Sequence, residues 1–192
     1  MPTSSETLTP ADLAHLRRAI ALAAEALEAG DAPFGSVLVS GGKTEGEEGE
    51  GEGEGKGEGR PLHEDRNRIH TTGDGTRHPE LALARWAAAH VPSARARAAA
   101  TVYTSGEHCA MCAAAHAWAG LGRVVYAAST AQLRAWMAEF RAEKGGEEEV
   151  VVVVAPLPID AVAPGLEVVG PVPLLEADVK ALHRRYAGLP PA

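Results

Sequence analysis

The chain has 192 residues and a formal net charge of −8, a length that fits one domain with a core needing no disulfide staples. With a pI near 5.5, it lacks the clustered Lys and Arg that a nucleic-acid partner requires, and no stretch is apolar for long enough to span a bilayer. Its two cysteines, in C-x-x-C spacing and without an apolar leader of the signal-peptide kind, lead us to expect a reducing, cytoplasmic setting in which such spacing serves metal or redox chemistry.

In chain order, Thr9-Pro10 followed by the Ala- and Leu-rich run Ala11 to Ala29 predicts a capped helix closed by Gly30. Phe34 to Ser40 is short, apolar and bounded by Pro33 and Gly41-Gly42, which predicts a strand; Arg60 to Ile69 is its expected hairpin partner. Between the two, seven glutamates alternate with glycines against only three basic residues. Such a run has almost nothing to bury and repels itself, so residues 41–60 are expected to be a disordered loop at the hairpin tip.

From His78 onward the pattern alternates. Pro79 to His90 is helix-like, Thr101 to Ser105 is a β-branched and aromatic strand, Cys109 to Ala119 is a helix ending at Gly120, and Arg123 to Ser129 is a strand. Thr130 to Glu143 is expected to be a helix capped by Thr130, and Glu149 to Val154 a buried strand. A proline-rich stretch from Pro156 to Pro173 encloses a short strand at Leu166 to Val169, and Leu174 to Tyr186 closes the chain as an amphipathic helix. Alternating strands and helices imply a layered α/β architecture around one sheet.

Two half-motifs carry the chemistry: His78-Pro79-Glu80, and Glu107-His108-Cys109-Ala110-Met111-Cys112. One histidine nitrogen and two thiolates make three tetrahedral zinc ligands and leave the fourth position open to water, the pattern of a catalytic site. Cys109 and Cys112, at i and i+3, share a helix face, and a helix amino end favours the thiolate form. Glu80, two residues after a ligand, is the carboxylate left to carry protons. A thioredoxin-like redox pair is one rival, although it leaves His78 and Glu80 unexplained. A closed structural zinc with His108 as fourth ligand is the other.

With these residues in place the chain resembles the cytidine deaminase-like superfamily of zinc hydrolases, whose signature is H-x-E followed by P-C-x-x-C. Pro33 to Val39, Asn67, His78-Pro79-Glu80, Tyr103-Thr104-Ser105, Cys109 to Cys112 and Val124 to Ala128 resemble, in order, successive blocks of the bacterial guanine deaminase and cytosine deaminase branch. The one departure is His108, which stands where proline usually precedes the first cysteine; it either packs in that turn or alters the substrate pocket.

The resemblance implies a three-layer α/β/α fold with a central mixed sheet of about five strands, as a single zinc-dependent deaminase domain. It further implies Zn2+ held by His78, Cys109 and Cys112, and Glu80 as proton shuttle between zinc-activated water and a heterocyclic amine that leaves as ammonia. Asn67 is expected to hydrogen-bond the substrate, or simply to make an Asx-turn. Phe34 and Trp118 are candidate apolar walls for a flat ring, and Glu139 a candidate reader of ring N–H groups. His63, His70, His90 and His116 lack motif spacing. The partners expected are a small heterocyclic amine of guanine or cytosine type and a second copy of the chain in a homodimer, with no nucleic acid and no membrane. A tRNA adenosine deaminase and a non-catalytic zinc module are the alternatives.

Overall fold

The computed structural model describes residues 8–41, 59–146 and 153–191. The described helices are α1 (Pro10–Glu28), α2 (Ile69–Thr72), α3 (Pro79–His90), α4 (Ala94–Ala99), α5 (Ala110–Ala119), α6 (Thr130–Glu143), α7 (Ile159–Val162) and α8 (Glu176–Tyr186). The strands are β1 (Gly35–Val39), β2 (Pro61–Arg66), β3 (Thr101–Gly106), β4 (Arg123–Ala128) and β5 (Val168–Val169), in the sheet order β2-β1-β3-β4-β5. The first three strands pair antiparallel and the last three parallel, giving the mixed five-stranded sheet that the sequence implied.

Strand alternation sorts the core into two faces. Val37, Val39, Tyr103, Val125 and Ala127 point to one side, where α1, α6 and α8 supply Leu16, Ala19, Leu22, Trp136, Phe140 and Val179. Leu38 and Val102 point to the other and meet Leu83, Ala84 and Ala87 of α3. Val124 and Tyr126 reach Ala113 of α5 and Ile159 of α7 on that side. Three layers follow.

α1 begins as expected. The Thr9 side chain accepts from the Asp12 N–H at 3.0 Å and the Asp12 carboxylate accepts from the Thr9 N–H at 2.8 Å, a reciprocal cap. Asp12, 1% exposed, also accepts from the Tyr103 hydroxyl at 2.7 Å and from Arg123 at 2.8 Å. The cap of α1 is thereby tied to β3 and β4.

One expectation is corrected. The cap of α6 is Ser129, not Thr130: the Ser129 hydroxyl accepts from the Gln132 N–H while Gln132 Oε1 accepts from the Ser129 N–H. The expected strand Glu149 to Val154 lies largely outside the described residues, which omit 147–152; Val153 and Val154 are exposed. Among the described residues β4 has its parallel partner in Val168–Val169, within the short strand expected at Leu166 to Val169. Most of the Gly-Glu run, 42–58, also lies outside the described residues, although its flanks meet where Ser40 N donates to Arg60 O at 3.0 Å.

Candidate metal centre and active site

The two half-motifs converge at one end of the sheet. β1 runs antiparallel to β3, so its amino end lies beside the carboxyl end of β3, where Ser36 pairs with Thr104. β2 ends beside the same point, with Arg66 opposite Gly35. Phe34, Asn67, Gly106 and the Cys109 turn therefore gather at the carboxyl ends of β3 and β4, where open α/β sheets build their sites.

His78 caps α3 and Cys109 caps α5, each in extended backbone, and Cys112 lies in the first turn of α5. The His78 Nδ1, Cys109 Sγ and Cys112 Sγ atoms lie within 4.8 Å of one another. His78 Nδ1 is 3.7 Å from Cys109 Sγ and 3.6 Å from Cys112 Sγ. Tetrahedral zinc with ordinary bond lengths would separate nitrogen and sulfur ligands by about 3.6 Å, so the donor set fits zinc in both chemistry and spacing. The three groups also lie within hydrogen-bonding reach of one another. The bond from the Cys112 thiol, then that from His78, holds the Cys109 thiol down to about 4 against the opposing effect of burial. Cys112 is pushed up, first by donating that bond and then by burial. His78 is raised chiefly by its bond to Cys109.

Glu80 lies beside this cluster, 5% exposed. Its Oε1 accepts from the Thr104 hydroxyl at 3.1 Å, and Thr104 accepts in turn from Ser36 at 2.9 Å. Its Oε2 is 3.7 Å from Cys112 Sγ. Burial raises the Glu80 pKa, against the opposing charge of His78, which moves a carboxylate toward the range useful for proton transfer.

Asn67 is 1% exposed, and its Oδ1 accepts from the Ile69 N–H at 3.0 Å. The Asx-turn is therefore real. Asp31 supports the same loop, accepting from the Thr71 N–H at 2.8 Å, from the Thr71 hydroxyl and from Arg66 at 3.0 Å. Burial raises its pKa, but those bonds outweigh burial and hold it below the ordinary carboxylate value. Phe34 packs edge-on against His183 of α8 at 5.1 Å and lines a small void with Gly106, Glu107, Trp136 and others.

The structure does not bring Trp118 or Glu139 to this cluster. Trp118 is 88% exposed, since six residues of helix turn it about 120° away from Cys112. Glu139 is held by Lys180 at 2.8 Å on the outer side of α6 and α8. His108 packs: it is 1% exposed, with its ring 5.3 Å from that of His116 and neither nitrogen hydrogen-bonded among the described residues. Burial, then the neighbouring His116, holds it well below the ordinary histidine pKa and hence neutral. It is not a fourth ligand. His116 Nε2 lies 3.0 Å from Gly122 O, and His63 and His90 each stack against Trp86. Thr104 was missed from sequence; the signal was a polar residue alternating with Val102 on a fully buried strand.

Fold and site together define a deaminase of the cytidine deaminase-like superfamily. The chain belongs to the MafB19-like deaminase family, whose model matches residues 11–153. It is 31% identical over 130 residues to a probable cytosine deaminase of Schizosaccharomyces pombe, covering 68% of each chain. In fold it is similar to the guanine deaminase from Nitrosomonas europaea, at 19% identity and a TM-score of 0.64, over 97% of this chain and 90% of that one. A structure solved in complex with 8-azaguanine is similar at 21% identity and a TM-score of 0.65, over 94% and 86%.

Proposed function

We propose that the protein is a zinc-dependent hydrolytic deaminase of a free nucleobase or similar amino-heterocycle, of cytosine or guanine type. The observation that carries this reading is the convergence of His78 Nδ1, Cys109 Sγ and Cys112 Sγ within 4.8 Å, with the buried Glu80 carboxylate alongside. The cytosine deaminase relative and the acidic balance of the chain both favour a small heterocycle over a polyanion.

His78, Cys109 and Cys112 are the residues that would hold the ion, and zinc, when bound, would acidify water toward a pKa of about 7 and so supply a nucleophile at neutral pH. Glu80 does the proton work. Because Thr104 occupies Oε1, Oε2 is the oxygen free to accept a proton from water and deliver it to a ring nitrogen, which renders the amine-bearing carbon electrophilic. As the C–N bond breaks, Glu80 takes the remaining proton of the added water from the hydroxyl and passes it to the departing amine. The balance is ring C–NH2 plus water giving ring C=O plus ammonia. Asn67, through its amide NH2, would donate to an acceptor on the ring, and Phe34 would wall one side.

Ammonia release from guanine, cytosine, isocytosine, adenine and a tRNA anticodon stem-loop, measured alongside zinc content, tests the proposal. Turnover of a free base by zinc-loaded protein is the expected result. Turnover of the stem-loop alone would overturn the substrate class, and zinc loading without ammonia from any of them would mark a non-catalytic zinc module.

A further inference from the structure

We propose that Glu107 is a positioning residue for the cysteine half of the metal centre, clamping the turn that presents Cys109 against the amino ends of α6 and α7. This rests on the zinc reading above. Glu107 follows the last residue of β3 and precedes His108-Cys109. Its N–H donates to Ala128 O at 2.9 Å, extending the β3–β4 pairing by one step. Its carboxylate is divided between two helices: Oε2 accepts from the Thr130 N–H at 2.9 Å and Oε1 from the Ile159 N–H at 3.2 Å.

Both donors are first residues of helices, whose N–H groups have no partner within the helix and whose ends favour a negative charge. Their local sequences leave them to Glu107. The Ser129 hydroxyl is committed to Gln132, and Pro158, at the cap of α7, has no side-chain acceptor. Only His108 separates this clamp from Cys109, and the turn between has little freedom. A Cβ on Gly106 would lie 2.9 Å from the Phe34 ring, and His108 is wedged against His116. Segments that hold no metal-ligating residue, α6 and α7, thus fix the direction from which Cys109 Sγ meets His78 Nδ1.

Two variants remove the clamp from opposite ends. E107Q keeps the size of the side chain but replaces one accepting oxygen with an NH2 facing an N–H. Thr130→Pro deletes only the donor, at a first helical position that suits proline, after a Ser129 already extended at ψ 158. The measurements are zinc release to a chromogenic chelator and the thiolate-to-cobalt charge-transfer band of the Co2+-substituted protein, with Tm recorded in parallel. Release is expected to quicken about tenfold in E107Q and less in T130P, with a shifted cobalt band in both. The double variant should fall short of the sum of the two. Wild-type release rates and an unchanged band, even with a lowered Tm, would reduce Glu107 to a helix cap and overturn the proposal. A wild-type protein that takes up neither zinc nor cobalt would instead overturn the metal reading itself, and this inference with it.

Discussion

The buried Glu80 carboxylate has two unlike oxygens. Oε1 is committed to Thr104 and Oε2 faces Cys112, so in the proposed reaction orientation and proton transfer would fall to different atoms of one side chain. Glu80→Gln preserves shape and the Thr104 contact but cannot carry a proton. We expect it to retain zinc and lose about 10²- to 10⁴-fold in kcat; a wild-type rate at full zinc content would dismiss the role. Thr104→Val leaves Oε1 without its donor in a buried site, where an unmet acceptor costs about 1–3 kcal/mol. A roughly tenfold fall in kcat with zinc content unchanged is the expected outcome, measured by steady-state ammonia release.

Among the elements, α1 is tied to the sheet by charge as well as packing. Asp12 closes the helix cap and accepts from both Tyr103 and Arg123. Burial raises its pKa, but the bonds from Tyr103 and Thr9 and the charge of Arg123 outweigh that and leave it below the ordinary 3.8. A carboxylate depressed in the folded state contributes stability that is present above its unfolded pKa and lost as pH falls below it. Asp12→Ala leaves the buried Arg123, 8% exposed, with the longer pairing to Glu167 at 3.5 Å, and should cost about 3 kcal/mol at neutral pH. Urea denaturation at pH 7 measures this, and the difference between variant and wild type should narrow in acid. Ser129→Ala at the cap of α6 should cost only about 1 kcal/mol, because its partner is the single helix turn it closes.

At the scale of the molecule, α8 covers the sheet beside the site and buries a histidine in doing so. His183, 3% exposed and packed near Phe34 and Trp136, is pushed down to about 4 from 6.5 by burial. The folded state holds it neutral while the unfolded chain takes up a proton below 6.5, so stability declines as pH falls from 6.5 to about 4 and no further from this group. The contribution amounts to about 3 kcal/mol across that window. His183→Gln should flatten this part of a stability–pH curve, which thermal melts at pH 7, 5.5 and 4.5 would reveal. The hairpin of β1 and β2 is closed at its described ends. Ser40 and Arg60 are already hydrogen-bonded across its base, so replacing residues 42–58 with a tight turn should leave kcat/KM within about twofold, given how weakly closure entropy depends on loop length.

The amino-acid sequence by itself determined the long elements and the three side chains that could hold a metal ion. Caps, glycines and apolar period are local signals, as the bounds of α3, Pro79–His90, illustrate. The H-x-E and C-x-x-C spacings likewise place ligands on helix starts whatever surrounds them. Only the tertiary structure decided which polar residues serve the site. Thr104 meets Glu80 because antiparallel β1 and β3 enclose it, Glu107 reaches Thr130 and Ile159 across 23 and 52 residues, and Trp118 turns outward because α5 points its buried face at α3 and the sheet. The closing strand Val168–Val169 falls within the run Leu166 to Val169 that the sequence offered, but its place in the sheet did not. Pairing depends on where β4 offers an open edge, and such an edge exists only once the chain has folded.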